Sequence, residues 1–266
     1  MNKYIIFDLD ETIGHFTQLG IFWDAIQVVL NKKLNQSYFN KLCNLYSKFF
    51  RPGIFSIFKY LIHCKKKNKN IKVVIYTNNQ GEKTWTILIK NYISQKLNYL
   101  NLFDKIICAF KVDGQQIEMC RTTHDKTIHD FIRCTKAPKN SRFIFLDDQY
   151  HDKMRSNLVD YINIKPYSFN IPYVKMIDRF LHSNLGKELV HYNDYDFKNK
   201  IIREVNRYKF NTYEKSIQEI KVDKIVTKQM MIYIQNFIKK KFNFSKKNTK
   251  KNKFYISLHK TRKNFS

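Results

Sequence analysis

The residues "YIIF" (4–7) stand in a row with nothing polar among them, and the run ends abruptly in "DLDET" (8–12). Four successive apolar residues leave a strand no polar face, so such a strand must be covered on both sides. The pattern recurs along the chain. "IKVVIYT" (71–77) runs into "NNQG", "KIICAF" occupies 105–110, and "RFIFL" (142–146) ends in Asp147 and Asp148, with "YINI" (161–164) a shorter candidate. Strands buried on both faces belong to parallel sheets, whose crossovers are long enough to hold helices.

Helical spacing fills the intervals. Phe22, Ile26, Val29 and Leu30, then Phe39, Leu42, Leu45 and Phe49, predict two helices within 22–50. "RPG" (51–53) breaks the pattern, a third helix starts at Ile54 and runs out in the lysines at 65–67, and a fourth covers about 82–98. Alternating strands and helices over the first 185 or so residues predict an α/β fold, doubly wound, with a mostly parallel sheet and helices on both faces. Ligands of such sheets bind beyond the carboxyl ends of the strands. Three of the predicted strands end there in Asp8 and Asp10, in Thr77 and Asn78, and in Asp147 and Asp148.

After about residue 186 the character changes. Residues 197–220 and 223–242 read as helices, whereas 243–266 has no apolar periodicity and is expected to stay unstructured. The predicted organisation is a domain over 1–185, with 15–50 inserted as helices, a helical extension over 186–242, and a basic tail over 243–266. The inserted helices either cap the site or extend the core.

A formal net charge of +27 in 266 residues predicts attraction to polyanions. An AT-rich coding sequence, as in large DNA viruses, would also enrich Lys, Asn and Ile, so clustering is the better test. From Lys224 onward the chain has no acidic residue. The tail interleaves its cations with Phe254, Tyr255 and His259, which suits either a solvated end or a tether for nucleic acid. Val226, Met230, Ile234 and Phe237 share one helical face, to pack on the domain or on a partner. Five cysteines without metal-ligand spacing read as reduced thiols, which, with no signal peptide and no spanning run, predicts a soluble intracellular protein.

Two carboxylates just past a buried strand repel each other unless a cation offsets the cost, although acidic residues also follow strands simply as turn and cap residues. Hydrolysis of a phosphate monoester needs a nucleophile, a proton donor and positive charge. Asp8 suits the first role, and Asp10 the second, as acid and then base. Asp147 and Asp148, with Asp8 and Asp10, offer oxygen ligands to magnesium. Thr77 can donate to a phosphoryl oxygen with help from Asn78, and Lys126 in "THDKTIHDF" is the candidate fixed cation, with Lys136 and Lys139 as competitors.

"DLDET", "VVIYTNN", a lysine and "FIFLDD", in that order, resemble the haloacid dehalogenase-like (HAD) hydrolase superfamily, whose phosphatases carry D-x-D-x-T, Thr/Ser, Lys and DD motifs. "FRPGI" followed by a helix and "VVIYTNN" is similar to the branch of RNA polymerase II C-terminal-domain phosphatases, also called NLI-interacting-factor-like. The resemblance covers about 1–185, with Asp8, Asp10 and Thr12 matching the first motif. It implies a magnesium-dependent phosphatase acting through an aspartyl-phosphate, with a phosphoprotein as substrate. A polynucleotide-end or nucleotide phosphatase, and a non-enzymatic basic protein on a degenerate scaffold, are the alternatives.

Overall fold

The computed structural model describes residues 1–81, 83–191 and 193–242. The sequence expectation for the tail at 243–266 therefore lies outside the described residues. Strand β1 (Lys3–Phe7) leads into helices α1 (Thr17–Leu30), α2 (Gln36–Leu45) and α3 (Ile54–Lys67). Then come β2 (Ile71–Tyr76), α4 (Lys83–Lys96), β3 (Lys105–Ile107) and a hairpin of β4 (Lys111–Val112) and β5 (Gln115–Gln116). Helix α5 (Ile128–Thr135), β6 (Arg142–Asp147) and β7 (Val159–Asn163) complete the sheet. Four helices follow: α6 (Tyr173–Leu181), α7 (Asn184–Leu189), α8 (Asp194–Asn206) and α9 (Ile217–Lys239).

The main sheet has five strands in the order β3-β2-β1-β6-β7, every pair parallel. The chain moves from β1 outward to β2 and β3, then returns to the other side of β1 as β6. The topological switch point therefore lies between β1 and β6, where crossovers diverge and leave a crevice at the carboxyl ends. β1 is central because it is apolar on both faces. Ile5 and Phe7 enter one apolar cluster with the helices α1, α2, α3, α6, α8 and α9, whereas Tyr4 and Ile6 enter a second with Phe131 and Cys134 of α5.

Helices therefore flank the sheet unequally. α1 and α2, with Phe22, Ile26, Phe39 and Leu42, belong to the larger cluster, as do Phe197, Ile201 and Val205 of α8. Val226, Met230, Ile234 and Phe237 of α9 are buried in the same cluster. The expected extension at 186–242 thus shares its core with the sheet, and residue 185 falls inside α7.

Some expectations shift. The helix expected over 197–220 ends at Asn206, and α9 starts at a capping box in which Ser216 accepts from the Glu219 N–H and the Glu219 carboxylate accepts from the Ser216 N–H. The run at 105–110 pairs only as far as Ile107. The β4–β5 hairpin turns on Asp113 and Gly114, both at positive φ (48° and 78°), the turn that an Asp-Gly pair favours. The reading of all five cysteines as thiols is corrected: Cys120 and Cys134 form a disulfide, while Cys43, Cys64 and Cys108 are free. Spacing could not show this, because the pairing depends on a loop folding back onto α5. No helix of the described residues is long and apolar enough to cross a membrane.

Candidate active site

Asp8 is the first residue past β1, and its N–H extends the ladder by donating to Leu146 O at 2.9 Å. The chain then curls tightly. Glu11 takes a positive φ of 57° and its N–H donates to Gly14 O at 2.6 Å, while Ile13 N–H donates to Leu9 O at 2.9 Å. A Cβ on Gly14 would stand 2.5 Å from Phe49 O, so only glycine lets the curl close against the segment ahead of α3.

Arg51, buried at 1% exposure, fastens that curl from beneath. Its Nε donates to Thr12 O at 2.7 Å, and a terminal nitrogen donates to Glu11 O at 2.6 Å and Lys165 O at 2.9 Å. Burial, against Asp223 and Asp148, pushes the guanidinium down to about 10, so it stays charged at neutral pH. This is the arginine of "RPG", and its role is to position the aspartate loop.

The neighbouring strand β2 delivers Thr77, 1% exposed, whose hydroxyl oxygen accepts from Asn79 N–H at 3.0 Å. Asn79 Nδ2 donates to Asp10 Oδ2 at 2.7 Å, tying the two loops together. Asn78 instead presents its Oδ1 to Arg121 at 2.8 Å. Arg121 is itself buried over the Tyr76 ring and also donates to Thr77 O at 3.2 Å and Cys108 O at 2.9 Å. A second buried guanidinium thus supports the threonine loop.

On the other side of β1, β6 ends in Asp147, fully buried, whose Oδ1 accepts from Gln149 N–H at 2.8 Å. Asp148 Oδ1 accepts from the Thr12 hydroxyl at 3.2 Å, which gives the threonine of "DLDET" a place. His151 Nε2 lies 3.5 Å from Asp147 Oδ2.

Lys126, just before α5, reaches into this group from the opposite face. Its Nζ is 2.7 Å from Asp147 Oδ2 and also donates to Asp8 Oδ1. Thr127 caps α5 by accepting from Asp130 N–H at 2.9 Å, and its own N–H donates to the Tyr76 hydroxyl at 3.1 Å, which holds the lysine backbone against β2. The competitors are elsewhere: Lys136 caps the far end of α5 and Lys139 sits in the turn leading to the start of β6.

One cleft of about 230 Å³ is lined by Asp8, Asp10, Thr77, Asn78, Lys126 and Asp148, together with Glu11, Asn79, Gln149 and His151. All eight residues expected from the sequence come together, with Asp147 and Thr12 in contact behind the lining. His15, just past this loop, lies outside the lining and its ring meets the backbone of Phe169 at 2.8 Å. No residue of 15–50 lines the cleft.

Burial pushes the Asp8 carboxyl well above the ordinary carboxylate value, Lys126 working against this and Asp147 and Asp10 adding to it. Burial also raises Asp10, opposed by the Asn79 hydrogen bond, and raises Asp148. Burial works against the charge on Asp147 too, but Lys126 and His151 hold it below the ordinary value. Asp8 and Asp147 more than offset the burial of Lys126, so the ammonium is held. One ammonium faces four carboxylates, and such a site is short of positive charge.

Carboxylate oxygens of Asp8, Asp147 and Asp148 lie within 4.8 Å of one another. An all-carboxylate set of hard oxygen donors beside a cleft fits a small divalent cation such as magnesium. Sequence reasoning missed Arg51, Asn79 and Arg121 as parts of this site, since "RPG" reads as a helix breaker and a motif with no role for its arginine, whereas "QYH" (149–151) reads as part of the site's rim and His151 does line the cleft. No family model, no curated protein and no solved structure matches the chain, so this site is read from its own chemistry.

Proposed function

We propose that the chain is a magnesium-dependent phosphatase of the HAD type that cleaves phosphate monoesters through an aspartyl-phosphate. The observation that carries the reading is the convergence of Asp8, Thr77, Lys126 and Asp147 from β1, β2, the α5 start and β6 on one cleft at the switch point. Asp8 is the nucleophile: an Oδ attacks phosphorus and the bond to the leaving oxygen breaks. Asp10, whose carboxyl burial raises above the ordinary value against the Asn79 hydrogen bond, gives its proton to that oxygen. It then takes a proton from the water that attacks the phosphoryl group, which releases Asp8 and inorganic phosphate.

Lys126 and the Thr77 hydroxyl meet the non-bridging oxygens, and the ammonium is preorganised between Asp8 and Asp147 before substrate arrives. Magnesium held by Asp8, Asp147 and Asp148 would neutralise phosphoryl charge and favour the ionised form of the nucleophile. Arg51 and Arg121 touch no substrate; they hold the loops that do.

A cleft of about 230 Å³ is smaller than the roughly 300–1,000 Å³ of pockets that enclose whole small molecules. It suits a phosphoryl group presented on an exposed side chain, which favours a phosphoprotein substrate. The test is hydrolysis of an aryl phosphate by wild type and Asp8→Asn, with magnesium and with chelator. Activity that needs magnesium and disappears in Asp8→Asn is expected; activity surviving in Asp8→Asn refutes the mechanism. Phosphopeptides should then be turned over faster than 3′- or 5′-phosphorylated oligonucleotides, and the reverse order refutes the substrate class.

A further inference from the structure

The two edges of the parallel sheet carry opposite charge. Acids leave the strands, at Asp8, Asp10, Asp147 and Asp148, whereas cations enter them: Lys3 and Arg142 open β1 and β6, and Lys72 stands second in β2. Lys3 pairs with Arg142 in register on one face of the sheet, and Lys72, in register with Tyr4, stands on the other face of the neighbouring strand.

Helices α3, α5 and α9 all end at this same edge. Lys3 Nζ donates to Ile238 O at 2.6 Å and Lys240 O at 2.7 Å, which fixes the end of α9 over β1. Lys105 Nζ donates to Cys134 O at 2.6 Å, near the end of α5. α3 runs out through Lys66 and Lys67 toward Lys69, α5 is followed by Lys136 and Lys139, and α9 by Lys240 and Lys241, all exposed.

Lysines at helix C-termini ordinarily answer the macrodipole, but that is only about half a negative charge per helix. Two or three full charges at each end leave a large surplus. The stretches 54–72, 131–146 and 224–242 contain no acidic residue, although the chain has 22. Asp104 pairs with Lys65 and, at 3.5 Å, with Lys72; Asp160 lies 3.5 Å from Lys240.

Cations are even gathered around one ring. Lys3, Lys240 and Arg142 lie 5.2, 5.0 and 5.4 Å from the centre of Phe242. Burial pushes the Lys3 ammonium down, and the neighbouring Lys240 adds to it.

We propose that this basic edge docks the phosphate backbone of a nucleic-acid duplex, through Lys66, Lys69, Lys136, Lys139, Lys239 and Lys241. The cations spread over three helix ends, a track rather than a pocket for one anion, and a duplex offers one charge per about 1.7 Å of axis. A membrane is the poorer match. Anchoring needs an apolar face to sink among acyl chains, and among the described residues the exposed Met1 and Leu100 are single side chains. The edge lies at the opposite ends of the strands from the cleft, so the nucleic acid is a tether and not the phosphatase substrate.

The test uses the full chain and a fluorescent duplex of about two helical turns, roughly 20 base pairs, followed by anisotropy between about 50 and 200 mM salt. A variant carrying Lys66→Gln, Lys69→Gln, Lys239→Gln and Lys241→Gln should bind at least about tenfold more weakly, with a salt slope shallower by about 3 to 4. A control with Lys32→Gln, Lys33→Gln, Lys175→Gln and Lys187→Gln removes equal charge from exposed positions elsewhere and should leave affinity within about twofold. Equal losses in the two variants would reduce the effect to net charge and overturn the proposal. So would unchanged binding by the first variant, or tighter binding of the wild type to anionic vesicles than to the duplex. Hydrolysis of aryl phosphate by the edge variant should match wild type, so the two readings fail separately.

Discussion

Replacing Lys126 with methionine keeps the side-chain length and removes the ammonium between Asp8 and Asp147, both buried. Breaking a buried pair by removing one partner costs about 3–5 kcal/mol, because the remaining charge has no compensation. The loss should depend on pH in a defined direction. In the wild type Asp147 is held below its ordinary value by Lys126 and His151 against the effect of burial, so its contribution is present above about 3.9 and fades as pH falls through the folded value. In Lys126→Met burial acts unopposed by the ammonium, and both carboxyls rise. Their ionisation then destabilises the fold at neutral pH, and protonation relieves that as pH falls. Urea unfolding at about pH 7 and about pH 4.5 should show a gap between wild type and variant that shrinks on acidification. Under the proposed magnesium binding, excess magnesium at neutral pH should restore part of the loss by favouring the folded form. A gap under about 1 kcal/mol at neutral pH, or one independent of pH, would refute the claim that Lys126 compensates these carboxylates.

Met230, fully buried on α9, belongs to the same apolar cluster as Phe7 of β1. Met230→Ala should therefore cost about 2–5 kcal/mol and lower the midpoint of a single transition; a separate early transition would show that α9 unfolds apart from the sheet. The Cys120–Cys134 disulfide closes a loop with a sequence separation of 14 that contains Arg121 and Lys126. Cys120→Ser should cost about 3 kcal/mol in thermal or urea melts, and a dithiol reductant should lower the wild type to the same midpoint. Identical melts with and without reductant would contradict the pairing.

Much of the sheet was readable because its strands are buried on both faces and so carry no polar interruption. Within β1, β2 and β6 lie continuous apolar runs at 4–7, 73–76 and 143–146, and each stops where the chain reaches the crevice. Acidic or hydroxyl side chains at those stops are exposed by the local sequence alone, which is why Asp8, Thr77 and Asp147 could be named together. Lys126 was harder, since nothing in "THDKTIHDF" distinguishes it from a surface lysine. Its place follows from Thr127 capping α5 and bonding the Tyr76 hydroxyl, a contact between residues about fifty positions apart. The break before α9 did have a local signal, the Ser216 and Glu219 capping box, as did the Asp-Gly turn of the small hairpin.

Arg51 and Arg121 left a different kind of trace. Both bind mainly backbone carbonyls, and a carbonyl has the same chemistry under any side chain, so no partner residue marks the contact in the sequence. What marks them is their cost. A guanidinium buried to about 1% exposure is tolerated only where fixed acceptors surround it, and the loops it fixes gain a rigid anchor in return. The two arginines hold the two loops that carry Asp10 and Thr77, and Asn79 then joins those loops directly. Arg51 and Arg121 thus fix the cleft's loops without entering it, while Lys126 is held within it. A chain with lysine surplus at one edge and two buried arginines beneath the other separates two uses of positive charge: solvated ammonium groups for long-range attraction, and forked, desolvated guanidiniums for holding backbone in place.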